Sequence, residues 1–251
     1  MDDDDDEVEP LLVKYIHPYV TEILSPSPLT GKRLRKDTIY YAGYHELAYL
    51  HPNIFKPDEK VLNEIGLKQG EPYFAFKAHH DVGVEGLTLD NKRKLIAYLE
   101  TKGTVFITSE RNLDEEFKKY QLLLSPEKIH SLICFATMLI GDSQTMTSEA
   151  AVLGTPAIKC NTFAGKLAIP NELENKYRLC FSFLPEESDK LFLKIDELLC
   201  IEDLKEEFQR RKERLLIDKI DVTALYVWFI ENYPGSVSIL KENPEFQFRF
   251  K

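Results

Sequence analysis

Residues 139–160, LIGDSQTMTSEAAVLGTPAIKC, carry the side chains with the clearest chemical use in this chain of 251 residues. An apolar run over 134–140 stops at Gly141-Asp142-Ser143. It gives way to a helical pattern ending at Gly154-Thr155-Pro156, and a second apolar run follows. That order predicts strand, turn, helix and strand. Such a turn presents Asp142, Ser143, Gln144, Thr145, Met146 and Thr147 at a helix N-terminus, where unpaired N–H groups and the positive end of the helix dipole favour an anion such as a phosphate. Glu149, one turn further in, is placed to reach the hydroxyls of a ribose. The competing reading makes Ser143 and Thr145 simple helix caps and Glu149 a surface carboxylate. Neither GxxxxGK[ST] nor GxGxxG occurs in the sequence, which disfavours an ATPase or a dinucleotide dehydrogenase.

A second group follows the run 73–77: Ala78-His79-His80-Asp81-Val82-Gly83. Loops after strands of an open α/β sheet line its ligand crevice. Adjacent imidazoles beside a carboxylate suit hydrogen bonding to a diphosphate or proton exchange near neutral pH, so His79, His80 and Asp81 are the catalytic candidates. The alternatives are one packed and one solvated histidine, or a divalent-metal site, for which no further His or Cys lies at ligand spacing. Ser109 and Glu110 follow the run 104–108 and face the same crevice, Glu110 as ligand contact or helix cap. His130 precedes the GDS strand and is placed to border a base pocket, or else is structural. The loop 161–165 adds small residues on that side without a defined role.

The elements that must position these residues alternate from residue 72 onward. Strands are expected at 73–77, 104–108, 122–124, 138–141, 157–159 and 179–183, and helices at 91–101, 126–136, 145–153 and 171–177. That alternation marks a Rossmann-like parallel sheet flanked by helices. Amphipathic helices are expected at 189–199 and 204–215, and an apolar one at 222–233 that Pro234-Gly235 stops. Upstream, 8–24 has helical spacing until Ser25-Pro26-Ser27-Pro28 breaks it, 38–42 reads as a short strand and 44–57 as a packed connector. The tail 246–250 alternates, as a strand or an apolar end. The expected organisation is a linker segment over 1–57, a Rossmann-like domain over 58–200, and C-terminal helices over 201–251 packing back across it.

Composition bounds the function. The chain is 43% hydrophobic and carries a formal net charge of -10, against a nucleic-acid partner or an anionic membrane surface. Asp2 to Asp6 and Glu7 read as a solvated charge run and receive no site. No apolar stretch approaches the ~20 residues of a membrane helix, so no membrane insertion is expected. Four widely spaced cysteines form no CxxC-type metal signature and suggest reduced, mostly buried thiols in a cytoplasmic protein. No metal and no cofactor are expected.

With GYHELAYLHP, AHHDVG, FITSE, SPEKIH and GDSQTMTSEAAVLGTPA over roughly residues 8–251, the sequence resembles the family called domain of unknown function 354. That family is similar to the two-domain GT-B group, which includes UDP-N-acetylglucosamine 2-epimerase and many glycosyltransferases. The resemblance implies that Ser143, Gln144 and Thr145 lie along a diphosphate and that Glu149 holds the ribose hydroxyls. The epimerase turn reads Asp-Ser-Gly-Gly followed by paired glutamates, so its glycines are Gln144 and Thr145 here. Its His-Arg-Arg-Glu loop falls at AHHDVG, where no Arg follows His79 or His80. GT-B enzymes work in a cleft between two Rossmann-like domains, and the resemblance here implies the C-terminal, donor-binding half.

Three functions compete. The first is a GT-B-type nucleotide-sugar-binding protein of surface-polysaccharide synthesis, taking a UDP-sugar and lacking the acceptor-side domain, glycosyltransferase-like or epimerase-like if catalytic. The second is a non-catalytic ligand-binding or docking module that pairs with itself or a partner chain through an exposed inter-domain face. The third is a metal-dependent phosphoester hydrolase using His79, His80 and Asp81.

Overall fold

The computed structural model describes residues 1, 10–32, 35–77, 86–109 and 112–251. The chain forms two compact units: one of Met1–Phe55, Leu167–Ile169 and Arg214–Lys251, the other of Lys56–Lys166 and Pro170–Glu213.

The first unit opens with α1 (Pro10–Tyr15), a 3-10 turn over His17–Tyr19, and strands β1 (Leu24–Pro26) and β2 (Ile39–Tyr41), then α2 (Leu47–Leu50). The helical spacing of 8–24 therefore yields only a six-residue α-helix. Pro18 lacks an N–H and its ring clashes with the preceding turn, which leaves a 3-10 turn in place of a longer helix. Leu24, read as helical, and Ser25 and Pro26, read as the start of the break, pair in parallel with β2, Leu24 opposite Ile39.

The second unit carries α3 (Lys60–Glu64), β3 (Tyr73–Lys77), α4 (Leu89–Glu100), β4 (Thr104–Thr108), α5 (Ile129–Phe135), β5 (Met138–Gly141), α6 (Gln144–Leu153), β6 (Ala157–Cys160), α7 (Ala168–Asn175), whose first two residues belong to the first unit, β7 (Cys180–Phe183), α8 (Ser188–Leu199) and α9 (Leu204–Asp218), whose last residues belong to the first unit. Helices α10 (Val222–Glu231) and α11 (Gly235–Glu242) return to the first unit.

All five strands β3 to β7 are parallel, in the order β4-β3-β5-β6-β7. Parallel strands covered on both faces read as continuous apolar runs, and β3 and β5 are buried at every position. β3 steps outward to the edge strand β4, whereas β5 lies on the other side of β3 and continues to β6 and β7. The strand order reverses between β3 and β5, and at such a switch point the loops beyond the strand C-termini part into a crevice.

Three stretches depart from their sequence expectations for local reasons. Residues 122–124 form no strand: a single bridge joins Gln121 to Ile107, and Leu123 is 87% exposed beyond the edge of β4, just before the Ser125-Pro126 break. The helix expected to stop at Pro234-Gly235 does end just before it, at Glu231, but it is not the last: α11 follows, because Pro is tolerated at a helix start and Ser236 Oγ donates back to Phe229 O at 2.7 Å. The tail 246–250 lies in a 3-10 helix over Pro244–Phe250, with the rings of Phe246 and Phe250 against Trp228 at 4.8 and 5.5 Å between centroids. Packing on the indole requires both rings on one side, which the alternation of a strand would also give. The Gln247 side chain holds the 3-10 turn in place: its Oε1 accepts from Ala42 N at 2.6 Å and its Nε2 donates to Pro244 O.

Candidate functional site

The C-terminal ends of β3 and β5 meet in register, Lys77 opposite Gly141, and Gly141 lies opposite Lys159 of β6. One row across three neighbouring strands thus holds two buried lysines with a glycine between them. A Cβ on Gly141 would come within 2.7 Å of Lys77 O, so the backbones approach too closely there for any side chain.

Beyond Gly141 the chain turns into α6. Ser143 is the N-cap with an extended backbone, and its hydroxyl accepts from Met146 N at a long 3.4 Å. Thr147, fully buried, donates its hydroxyl to Ser143 O at 2.7 Å, so this side chain braces the turn. Thr145 is exposed, and Gln144 and Met146 are half-buried. Gly154, at φ +74°, closes the helix in the left-handed region that favours glycine. The cap reading therefore holds for Ser143, while Thr145 stands on the open side of the first turn.

Asp142 is buried beside Gly86, where a Cβ would lie 2.9 Å from Asp142 Cβ and 3.0 Å from its Oδ2. Its main-chain oxygen accepts from Asn161 Nδ2 at 2.8 Å, and Asn161 Oδ1 accepts from Phe163 N at 3.0 Å. The loop after β6, which had no defined role in the sequence, clamps the GDS turn. The Lys92 ammonium of α4 is pushed below its usual pKa by burial, an effect that the charges of Asp142 and Asp114 oppose.

His130, second residue of α5, brings Nε2 to 3.0 Å from Glu149 Oε1 of α6. Both side chains are largely shielded, Glu149 the more so. Ser109 follows the last residue of β4 at the same sheet edge and is half-buried. His79, His80, Asp81 and Glu110 lie outside the described residues. Among the described residues no group of three His, Cys, Asp or Glu side chains could hold a metal ion, and no helix is long and apolar enough to cross a membrane.

Sequence reasoning missed Lys159. It is fully buried, its ammonium donates to Gln144 Oε1 at 2.6 Å, and burial pushes its pKa down to about 8, with Cys180 and Glu174 opposing. The signal was present: a lysine inside the apolar run AIKC of a buried strand has to find a polar partner.

Solved structures share this fold. A calicheamicin glycosyltransferase matches with a TM-score of 0.54 at 15% identity, over 91% of this chain and 60% of its own. The fold is that of one half of a GT-B enzyme. The glycosyltransferase of kitacinnamycin matches with a TM-score of 0.50 at 11% identity, over 89% of this chain and 59% of its own. A UDP-N-acetylglucosamine 2-epimerase matches with a TM-score of 0.50 at 14% identity, over 78% and 56%. The chain thus spans less than two thirds of the length of the structures it matches. No protein-family model matches it, and no curated protein does.

Proposed function

We propose that this chain binds a nucleotide sugar, most simply a UDP-sugar, as the donor-side half of a GT-B-type glycosyltransferase or sugar-nucleotide epimerase of surface-polysaccharide synthesis in the cytoplasm. The observation that carries the reading is the placement of the GDSQT turn: a ten-residue helix starts at the β3/β5 switch point, where α/β sheets take their ligands. The diphosphate would lie over the first turn of α6, against the backbone N–H groups of Gln144, Thr145 and Met146 and the Ser143 hydroxyl. Glu149, held by His130, would take the ribose hydroxyls. Ser109 and Glu110 would line the far wall, and His79, His80 and Asp81 would reach the sugar from the loop after β3. Charge building on a departing nucleotide would then meet fixed N–H dipoles that need no reorganisation. The similarity to an epimerase whose name includes UDP-N-acetylglucosamine supports the choice of donor.

Calorimetric titration of UDP-N-acetylglucosamine and UDP into the purified chain, beside Glu149→Ala, tests this. Saturable binding that the variant loses is expected. Absence of heat at millimolar ligand would defeat the proposal.

A second reading, a docking module that pairs with a copy of itself or a companion chain, has one observation behind it. The first unit exposes Tyr19 at 87% and Ile230 at 73%. Sedimentation of the chain at increasing concentration, compared with Ile230→Glu, separates this reading from the first.

A further inference from the structure

Gln144 is the first residue of α6, and its side-chain oxygen receives a hydrogen bond from the buried Lys159 ammonium at 2.6 Å. An ammonium carries donors only, so the amide atom facing it has to be the oxygen. The amide is planar, and the NH2 group is therefore turned away from Lys159. Lys159 removes the near-equivalence of the two amide orientations that an unpaired glutamine at a helix start would have. The ammonium has no exposed surface of its own. Around it stand Gln144 from α6, the Cys180 thiol from β7 and Glu174 from α7, whose carboxyl burial pushes upward while it accepts from Ser182 N at 3.2 Å.

We infer that Lys159 and Gln144 form a relay in which the buried lysine fixes the glutamine so that Gln144 Nε2 donates to the phosphate of a nucleoside diphosphate over the first turn of α6. The inference rests on the nucleotide-sugar reading above and adds one residue, Lys159, and a side-chain task for Gln144. Gln144 touches the ligand, and Lys159 acts through Gln144 as a positioning residue. The arrangement brings a cation's field to the phosphate without exposing an ammonium at the crevice, where water would screen it.

The relay makes the number of phosphates the readout. Uridine, UMP and UDP are titrated calorimetrically into the full chain and into Lys159→Met, Lys159→Arg and Gln144→Glu, each checked for native circular dichroism. The expected result is at least a tenfold loss of UDP affinity in Lys159→Met and Gln144→Glu. Uridine affinity should stay within about twofold, and Lys159→Arg should recover most of the UDP affinity. An unchanged ratio of UDP to uridine affinity in Lys159→Met and Gln144→Glu overturns the relay while leaving the nucleotide reading intact. Should Lys159→Met fail to fold, Gln144→Glu and Lys159→Arg decide by the same ratio. If the unmodified chain binds none of the three compounds, the nucleotide reading fails and the relay falls with it.

Discussion

His130 Nε2 stands 3.0 Å from Glu149 Oε1, joining the second residue of α5 to the sixth of α6. A carboxylate set into the flank of a helix gains a fixed direction from this bond, because one of its oxygens is held by the imidazole. In the proposed site the imidazole orients the residue that meets the ribose.

Removal of the imidazole should therefore weaken ligand binding more than it weakens the fold. A hydrogen bond to a charged group contributes about 1.5–3 kcal/mol, so His130→Ala is expected to lower UDP affinity by roughly ten- to hundredfold, and Glu149→Ala by at least as much. Calorimetry gives the affinities. Thermal melts should show His130→Ala shifted by only a few degrees, and a large drop in melting temperature with unchanged affinity would contradict the assignment.

Gly86 faces a different test. A methyl group there would meet Asp142 Cβ at 2.9 Å and Cys160 O at 3.3 Å, in a place closed by two strand ends. Overpacking of this kind costs about 1–3 kcal/mol. Gly86→Ala is expected to lower the urea midpoint by a corresponding amount and to disturb the GDS turn, read as weaker nucleotide binding.

Asn161 ties two loops with one amide, donating to Asp142 O and accepting from Phe163 N. Asn161→Ala removes both bonds, the one to Asp142 O buried and the one from Phe163 N half-buried, at about 1–3 kcal/mol for the buried one before relaxation. Denaturation in urea should show the loss, and hydrogen exchange should show faster amides at Phe163 and in the first turn of α6.

Lys159 gives the fold a pH dependence whose sign is fixed by burial. Its pKa falls from 10.5 to about 8 on folding, so between those values the unfolded chain binds the proton that the folded chain releases, and this group's contribution to stability rises with pH. Below pH 8 the buried charge costs on the order of 3 kcal/mol relative to the neutral amine. The buried thiols of Cys160 and Cys180, pushed up to about 12 from 9.0, act the opposite way above pH 9. The clean window is pH 8 to 9. Lys92, Lys205 and Lys212 are lowered in the same direction, so the measurement is a difference: the stability of Lys159→Met should rise less steeply with pH there than that of the unmodified chain.

Strands β3, β4 and β5 were legible to the residue because each is an apolar run bounded by Gly, Pro or charge, as strands buried in a parallel sheet are. The start of α6 was legible because Ser143 is an N-cap with a helical pattern behind it. The order of the strands was not, since nothing local says that β5 pairs with β3 and not with β4. Hence the row Lys77, Gly141, Lys159 could not be read, nor the contact of Gly86 with Asp142, nor the meeting of His130 and Glu149. The strand expected at 122–124 failed for the same reason in reverse: its apolar residues look like those of a strand, but the sheet has no partner for them past a single bridge.

The switch of direction between β3 and β5 also governs when the site comes into being. Tyr73 N reaches Thr137 Oγ1 across 64 residues of chain, so the two strands join only after a long loop has closed. Neither α4 with β4 nor α6 with β6 can assemble the proposed site alone. Pairing of such sequence separation forms slowly. A ligand seated there recognises only chains in which that closure is complete, and its binding should slow unfolding of the five-stranded unit as a whole.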